Sequence, residues 1–271
     1  MSLLLHISDT HFGTEEPPVV QALQALAHEL RPDLLVLSGD ITQRARSAQF
    51  AAARAFVDSL RIPRVLTLPG NHDIPLYNVA ARMFSPYAGY MAAFGDVLEP
   101  EVATDGLLVI GVNTTRPARH KDGEVSRTQV ERVAGRLRQA KRETLRVVVT
   151  HQPACVLRAE DEKDRLRGAD AAIRAWSQAG ADLVLGGHIH LPYVGDACSR
   201  IQGSGRTLYC VQAGTALSHR VRHGSPNSVN TIRWQPPAPD QPRHCEVQRW
   251  DFDLADARFE ATQHHSLVLS E

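Results

Sequence analysis

Short apolar runs closed by polar clusters restrict the fold of this chain more than any other feature. Leu3-Leu4-Leu5-His6-Ile7 runs into Asp9-Thr10-His11, and Asp33-Leu34-Leu35-Val36-Leu37-Ser38 into Gly39-Asp40. Arg64-Val65-Leu66-Thr67-Leu68 runs into Pro69-Gly70-Asn71-His72-Asp73. Further on, Arg146 to Thr150 ends in His151-Gln152-Pro153, and Asp182 to Leu185 in Gly186-Gly187-His188-Ile189-His190. Apolar runs this short, bounded by Gly and Pro, suit strands buried on both faces. Between the first three, Val19 to Leu30 and Ser47 to Leu60 carry apolar residues at helical spacing. A β-α-β-α-β rhythm implies right-handed crossovers and a largely parallel sheet. Open α/β sheets place their chemistry at strand carboxyl ends, where the polar clusters fall.

Beyond residue 74 the pattern loosens. Residues 74–104 read as short helices and loops with scattered aromatics, a candidate lid or pocket wall. Leu107 to Val112 reads as a strand, and Ser126-Arg127-Thr128-Gln129 as a capping box opening a helix to about Arg142. Residues 158–167, dense in both charges, read as a solvated loop or helix, and Ala169 to Gln178 as a helix. Thr207 to Gln212, Val229 to Trp234 and Cys245 to Phe252 read as strands without intervening helices. They are expected to be antiparallel and to form a second sheet. Pro236 to Pro242 is short enough for a hairpin loop, and residues 264–265 read as tail. One domain over residues 1–271 is expected.

Bulk properties exclude more than they assign. Lys+Arg and Asp+Glu both count 30, so net charge gives no drive toward nucleic acid or anionic membrane. Cys155, Cys198, Cys210 and Cys245 form no Cys-x-x-Cys pair and read as reduced thiols. The amino terminus lacks a basic region and a sufficient apolar run for a signal peptide. No run approaches a membrane span. The expected location is cytoplasmic.

Asp9, His11, Asp40, Asn71, His72, His151, His188 and His190 all follow apolar strands, so the sheet can gather them in one cleft. Asp9 with His11, and His188 with His190, are i, i+2 pairs whose side chains point the same way if the backbone is extended. Even with His72 set aside, two carboxylates, four imidazoles and one amide exceed what one ion needs. Without thiolates they suit two ions, Mn, Fe or Zn, sharing a bridging carboxylate. Gly39, Gly70 and Gly187 permit tight turns and close approach there.

Asp9-x-His11, Gly39-Asp40, Gly70-Asn71-His72-Asp73, His151 and Gly187-His188-x-His190 resemble the five signature blocks of the calcineurin-like metallophosphoesterase superfamily. The resemblance implies a four-layer α/β/β/α sandwich with two mixed β-sheets and a dinuclear metal site at strand carboxyl ends. By the same resemblance, Asp9, His11 and His190 would hold one metal, Asn71, His151 and His188 the second, and Asp40 would bridge. A hydroxide between the ions would attack phosphorus. His72 would stabilise the transferring group and protonate the leaving oxygen, with Asp73 orienting it. His6-Ile7-Ser8-Asp9-Thr10-His11 and Gly214-Thr215-Ala216-Leu217-Ser218, with Arg220 and Arg222 after it, are similar to bacterial cyclic-nucleotide phosphodiesterase-like members. A small-molecule phosphodiester, 3′,5′-cyclic nucleotides included, is therefore the expected substrate. A nuclease or other phosphohydrolase on the same site and a non-catalytic interaction module of this fold are the alternatives. Arg220, Arg222 and His223 are further candidates for substrate contact.

Overall fold

The computed structural model describes residues 1–199, 201, 206–222, 224–238 and 241–270. The first half contains β1 (Ser2–Ile7), α1 (Pro17–Leu30), β2 (Leu34–Leu37), α2 (Ser47–Ser59), β3 (Val65–Thr67), α3 (Val79–Phe84), α4 (Ala88–Phe94), β4 (Glu101–Thr104), β5 (Leu107–Gly111) and α5 (Arg127–Leu137). The second contains β6 (Leu145–Val149), α6 (Ala169–Gln178), β7 (Leu183–Gly186), β8 (Tyr193–Asp196), β9 (Tyr209–Gln212), β10 (Ser228–Trp234), β11 (Arg243–Asp253) and β12 (Arg258–Leu269). Single 3-10 turns occupy Asn71–Asp73 and Ala159–Asp164.

Two six-stranded sheets form, in the orders β12-β11-β10-β1-β2-β3 and β4-β5-β6-β7-β9-β8. β1, β2 and β3 run parallel, as do β5, β6, β7 and β9, while the flanking strands are antiparallel. Both sheets are therefore mixed. Strand alternation divides the apolar residues between layers. Leu4, Val36 and Leu66 of the first sheet meet Val109, Val147 and Leu183 of the second. Leu5, Ile7, Leu35 and Leu37 face outward against Leu23 of α1 and Phe50 and Phe56 of α2. On the far side, Leu108, Ile110 and Val148 pack against Val133 of α5 and Ile173 and Trp176 of α6. The result is the expected four-layer α/β/β/α sandwich. Each sheet is covered on both faces, which parallel strands require.

Local signals held where they were explicit. Ser126 Oγ accepts from Gln129 N at 3.2 Å and Gln129 Oε1 from Ser126 N at 2.9 Å, the reciprocal pair of a capping box. That helix stops at Leu137 rather than Arg142. The chain then turns, and the Arg146 guanidinium donates to the Lys141 carbonyl at 3.1 Å. The three late strands do not make a sheet of their own. β9 pairs parallel with β7, whereas β10 extends the first sheet antiparallel to β1 and β11 pairs antiparallel with β10. Residues 264–265 belong to β12, a full strand paired along β11, and not to a tail. All four cysteines are free thiols. No helix among the described residues is long and apolar enough to cross a membrane.

One buried ion pair ties the sheets together. Arg243, at the start of β11, donates to both oxygens of Asp182 at 2.7 Å, just before β7. Both side chains are 1% exposed. Asp182 also accepts Arg146 N at 2.9 Å, and Arg243 reaches the Thr144 carbonyl at 2.9 Å.

Candidate metal centre

The ends of β1, β2 and β3 from one sheet and of β6 and β7 from the other converge where the two sheets meet. Asp9 and His11 follow β1, and Asp40 follows β2. Asn71 opens the turn after β3, His151 follows β6, and His188 and His190 follow β7. Asp9, His11, Asp40 and His151 are all at most 2% exposed. Charged and imidazole groups so deeply buried need partners.

Their backbone departs from the extended form that the i, i+2 argument assumed. Asp9 (φ 52°), His11 (φ 44°), Asp40 (φ 48°), His188 (φ 73°) and His190 (φ 57°) all adopt left-handed conformations. Through these turns Asp9 and His11 reach one ligand group, whereas His188 and His190 divide between two. Non-glycine residues held there carry local strain, which clusters at functional sites. Close approach explains two glycines. A Cβ on Gly70 would collide with the Asp40 backbone and carboxylate, and one on Gly187 with Ser8 and Asp9 side chains.

Among the described residues the ligand-type atoms form three overlapping groups, of which His11, Asp40 and His72 make the one that links the other two. Asp9, His11 and His190 place one such atom each within 4.8 Å of one another, and so do Asp40, His151 and His188. Within the first, His190 Nε2 lies 3.3 Å from Asp9 Oδ1 and 3.2 Å from His11 Nε2. Asp40 stands between the groups, its Oδ2 3.8 Å from His11 Nε2 and its Oδ1 3.2 Å from His151 Nε2.

Ring orientations follow from carbonyls behind the site. A carbonyl only accepts, so the ring nitrogen facing it must carry hydrogen. His151 Nδ1 donates to the Ser38 carbonyl at 2.8 Å, and His190 Nδ1 to that of Arg220. Both Nε2 lone pairs are thereby aimed inward, a common outer arrangement for metal-binding histidines. Asp9 Oδ1, Asn71 Oδ1, His151 Nε2 and His188 Nδ1 are buried without a hydrogen-bond partner. Four orphaned acceptors converging on carboxylates and imidazoles fit divalent or trivalent cations better than any protein partner.

The same crowding splits the side chains' proton affinities. Burial pushes His11 down to about 3 and His188 to about 4, the latter helped by the neighbouring His151. Burial also opposes charge on His151, but the Asp40 carboxylate prevails and raises it to about 9. Asp9 and Asp40 lie below the usual carboxylate range: burial opposes this, but their histidines outweigh it. Burial opposes charge on His190 as well, but Asp9 raises it. The carboxylates are thus held ionised while the imidazoles divide, His11 and His188 toward the neutral form that binds metal and His151 and His190 toward a charge that a bound cation would displace.

His72 stands at the rim. Its backbone N–H donates to Asp40 Oδ1 at 2.8 Å, its Nδ1 to the Gln43 carbonyl at 3.0 Å, and its Nε2 accepts from Arg220 Nη1 at 3.3 Å. The expectation that Asp73 orients this ring is not met. Asp73 turns inward and accepts from Gly70 N (2.8 Å), Ile41 N (3.0 Å), Thr42 N (2.7 Å) and Thr42 Oγ1 (2.8 Å). Burial and the Asp40 charge raise its pKa to about 6, against those four donors.

A cleft of about 670 Å³ opens over the centre, walled by His72, His188, His190, Arg220, Arg222 and the turn Ala159–Asp164. Arg220 was only one of three candidate contacts in the sequence. Here its Nη1 sits between His72 Nε2 and His11 Nδ1, 3.3 Å from each. Arg222 instead pairs with Asp161 at 2.9 Å and Glu160 at 2.7 Å on the cleft wall. His223 lies outside the described residues. The expected pocket wall from the 74–104 segment exists, through Ile74, Leu76 and Tyr77 on an adjoining lobe.

Comparisons with known proteins agree with this centre. The family model of calcineurin-like phosphoesterases matches residues 3–192. A curated relative, the glycerophosphodiester phosphodiesterase GpdQ of Enterobacter lignolyticus, is 39% identical over 84 residues, covering 26% of this chain and 29% of its own length. The probable cyclic nucleotide phosphodiesterase syc0937_d of a Synechococcus strain is 28% identical over 208 residues, 76% of this chain and 73% of its own. A dimetal phosphatase from Danio rerio superposes with TM-score 0.66 at 11% identity over 99% of both chains, a likeness of fold. On the family match over most of its length, this chain belongs to the calcineurin-like phosphoesterases.

Proposed function

We propose that this chain is a two-metal hydrolase of small-molecule phosphodiesters. Asp9, His11 and His190 would hold one ion, Asn71, His151 and His188 the other, and Asp40 both, with Mn, Fe or Zn suiting this oxygen and nitrogen set. The observation that carries this reading is the position of Asp40, one oxygen toward each group of ligands. Two ions so held supply Lewis acidity toward phosphoryl oxygens and lower the pKa of water to generate hydroxide.

The chain's own residues do the rest. His72, fixed through Nδ1 by the Gln43 carbonyl, presents Nε2 to the cleft. When protonated, its Nε2–H would donate to the leaving oxygen in place of accepting from Arg220. Arg220 Nη1, beside it, donates to a non-bridging phosphoryl oxygen as charge develops. Burial of the ligands keeps bulk water from competing for the ions.

Preference for diesters is supported by the names of both curated relatives, each a phosphodiesterase. Balanced net charge gives no support to a nuclease. The test is a panel on Mn²⁺-loaded protein: bis-p-nitrophenyl phosphate, p-nitrophenyl phosphate, cyclic nucleotides, glycerophosphodiesters and single-stranded DNA. A higher kcat/KM for diesters than for monoesters is expected. A clear monoester preference overturns the diester reading, and no hydrolysis by metal-loaded protein overturns the enzyme reading.

A further inference from the structure

The cleft has two lobes that meet at His72 and Arg220, and their charges differ. The larger lobe sets Lys121, Lys163 and Arg222 against Glu160, Asp161 and Asp164, with Lys121 paired to Asp164 at 2.7 Å and Arg222 to Asp161 at 2.9 Å. The smaller lobe, about 260 Å³, is lined by Arg44, Arg220, His72, His120 and Tyr77 among others, with no carboxylate in its described lining. Arg44 donates to the Tyr77 hydroxyl at 2.7 Å and stacks 5.2 Å from that ring's centre. Arg220 donates to Gln43 Oε1 at 2.8 Å. Neither guanidinium has a carboxylate partner among the described residues. Two guanidiniums in one concavity repel each other and raise the local anion concentration. Their fork of donors fits the planar or tetrahedral oxygens of carboxylate or phosphate.

We propose that the smaller lobe is a subsite for a second anionic group, a phosphate or carboxylate carried on one arm of the substrate. This rests on the phosphoesterase reading and narrows its substrate class. The scissile phosphorus lies over the metal centre, and one arm passes His72 into the lobe, where its own charge meets Arg44. A 3′,5′-cyclic nucleotide, whose one anion is the scissile phosphate, leaves the lobe without a counter-charge. Acyclic diesters with a terminal anion match it.

Binding of product-like monoesters to Mn²⁺-loaded protein tests this by calorimetry, independently of turnover. Two matched pairs distinguish the sources of charge: 3-phosphoglycerate against glycerol 3-phosphate for a carboxylate, and adenosine 3′,5′-bisphosphate against adenosine 5′-monophosphate for a phosphate. In at least one pair the member with two anionic groups should bind about tenfold more tightly, in the range of one charge-assisted contact. Arg44→Gln should bring that ratio close to one, and added salt should shrink it. A ratio near one in the unmodified protein for both pairs, or a ratio that Arg44→Gln leaves intact, overturns the subsite. Hydrolysis of bis-p-nitrophenyl phosphate by the same preparation separates the two readings. Turnover without an anion preference removes the subsite alone. An Arg44-dependent preference without turnover removes the phosphoesterase reading and leaves the subsite standing.

Discussion

His72 anchors its imidazole on the carbonyl of Gln43, Nδ1 to oxygen 3.0 Å, and not on its chain neighbour Asp73. The carbonyl comes from the loop after β2, the imidazole from the turn after β3. The same loop supplies Ile41 N and Thr42 N to Asp73. Two adjacent residues therefore divide the work. Asp73 locks the turn to the neighbouring loop, and that lock sets where His72 meets its carbonyl.

Asp73 should accordingly behave as a structural residue. Asp73→Ala leaves three backbone N–H groups and one hydroxyl buried without an acceptor, at about 1–3 kcal/mol for an unsatisfied group. The loss of stability should be at least about 2 kcal/mol, read from chemical denaturation. Rates on good and poor leaving groups should fall together as the turn carrying Asn71 loosens. Unchanged stability with a loss confined to poor leaving groups would return Asp73 to the role of a direct partner for His72.

Asp40 is the most exacting position in the centre. It faces both ligand groups and accepts the His72 N–H besides. Asp40→Ala should leave less than one bound ion per chain under saturating Mn²⁺, while the unmodified protein retains two. Elemental analysis after desalting reads this without any assay of rate. The unmodified protein should also gain thermal stability on metal loading, since ligands that bind the folded state stabilise it. An Asp40→Ala protein that keeps two ions refutes the bridging role.

Away from the centre, Arg243 and Asp182 should matter to stability alone. Removing one member of a buried pair leaves an uncompensated charge and costs on the order of 3–5 kcal/mol. Asp182→Ala should show a loss of that size. Asp182→Leu combined with Arg243→Leu should recover part of it, because apolar replacements of a buried pair are often neutral. Metal content should not change in either. A single-mutant cost below about 1 kcal/mol, in the range of exposed ion pairs, would contradict the buried geometry.

The residues that the fold gathers at the candidate centre could be picked out because each follows a short, mostly apolar run. That signal is one-dimensional and survives in the sequence. What escaped is what only the fold brings together. β12 buries just Phe259, Leu267 and Leu269 of its twelve residues, so no alternating stripe marks it as a strand. β4 and β8 lie mostly outside the core, with one buried residue between them, so no apolar run marks them. The left-handed turns at Asp9 and His188 leave no trace, since neither is glycine. Arg220 meets His72 from 148 positions away, and the carbonyl that holds His72 belongs to a side-chain-independent group at Gln43. Backbone partners have no sequence signature.

His72 offers the sharpest test of the chemistry. Its ring touches Gln43 and Arg220, while its backbone N–H donates to Asp40, the carboxylate proposed to bridge the ions. His72→Ala should therefore keep both metals and the fold. General-acid catalysis contributes about 10²–10⁴ in rate, most where the leaving group is poor. On a diester with an alkyl leaving group, kcat should fall by at least about 10²-fold. On a p-nitrophenyl diester, whose leaving oxygen hardly needs a proton, the loss should be much smaller. Metal content and both rates are to be measured on one preparation. Loss of an ion would make His72 a ligand, in keeping with its nearness to His11 and Asp40 as a potential third ligand group. Equal losses on both esters would make it a stabiliser of phosphoryl charge alongside Arg220, because an acid's contribution must track the basicity of the group it protonates.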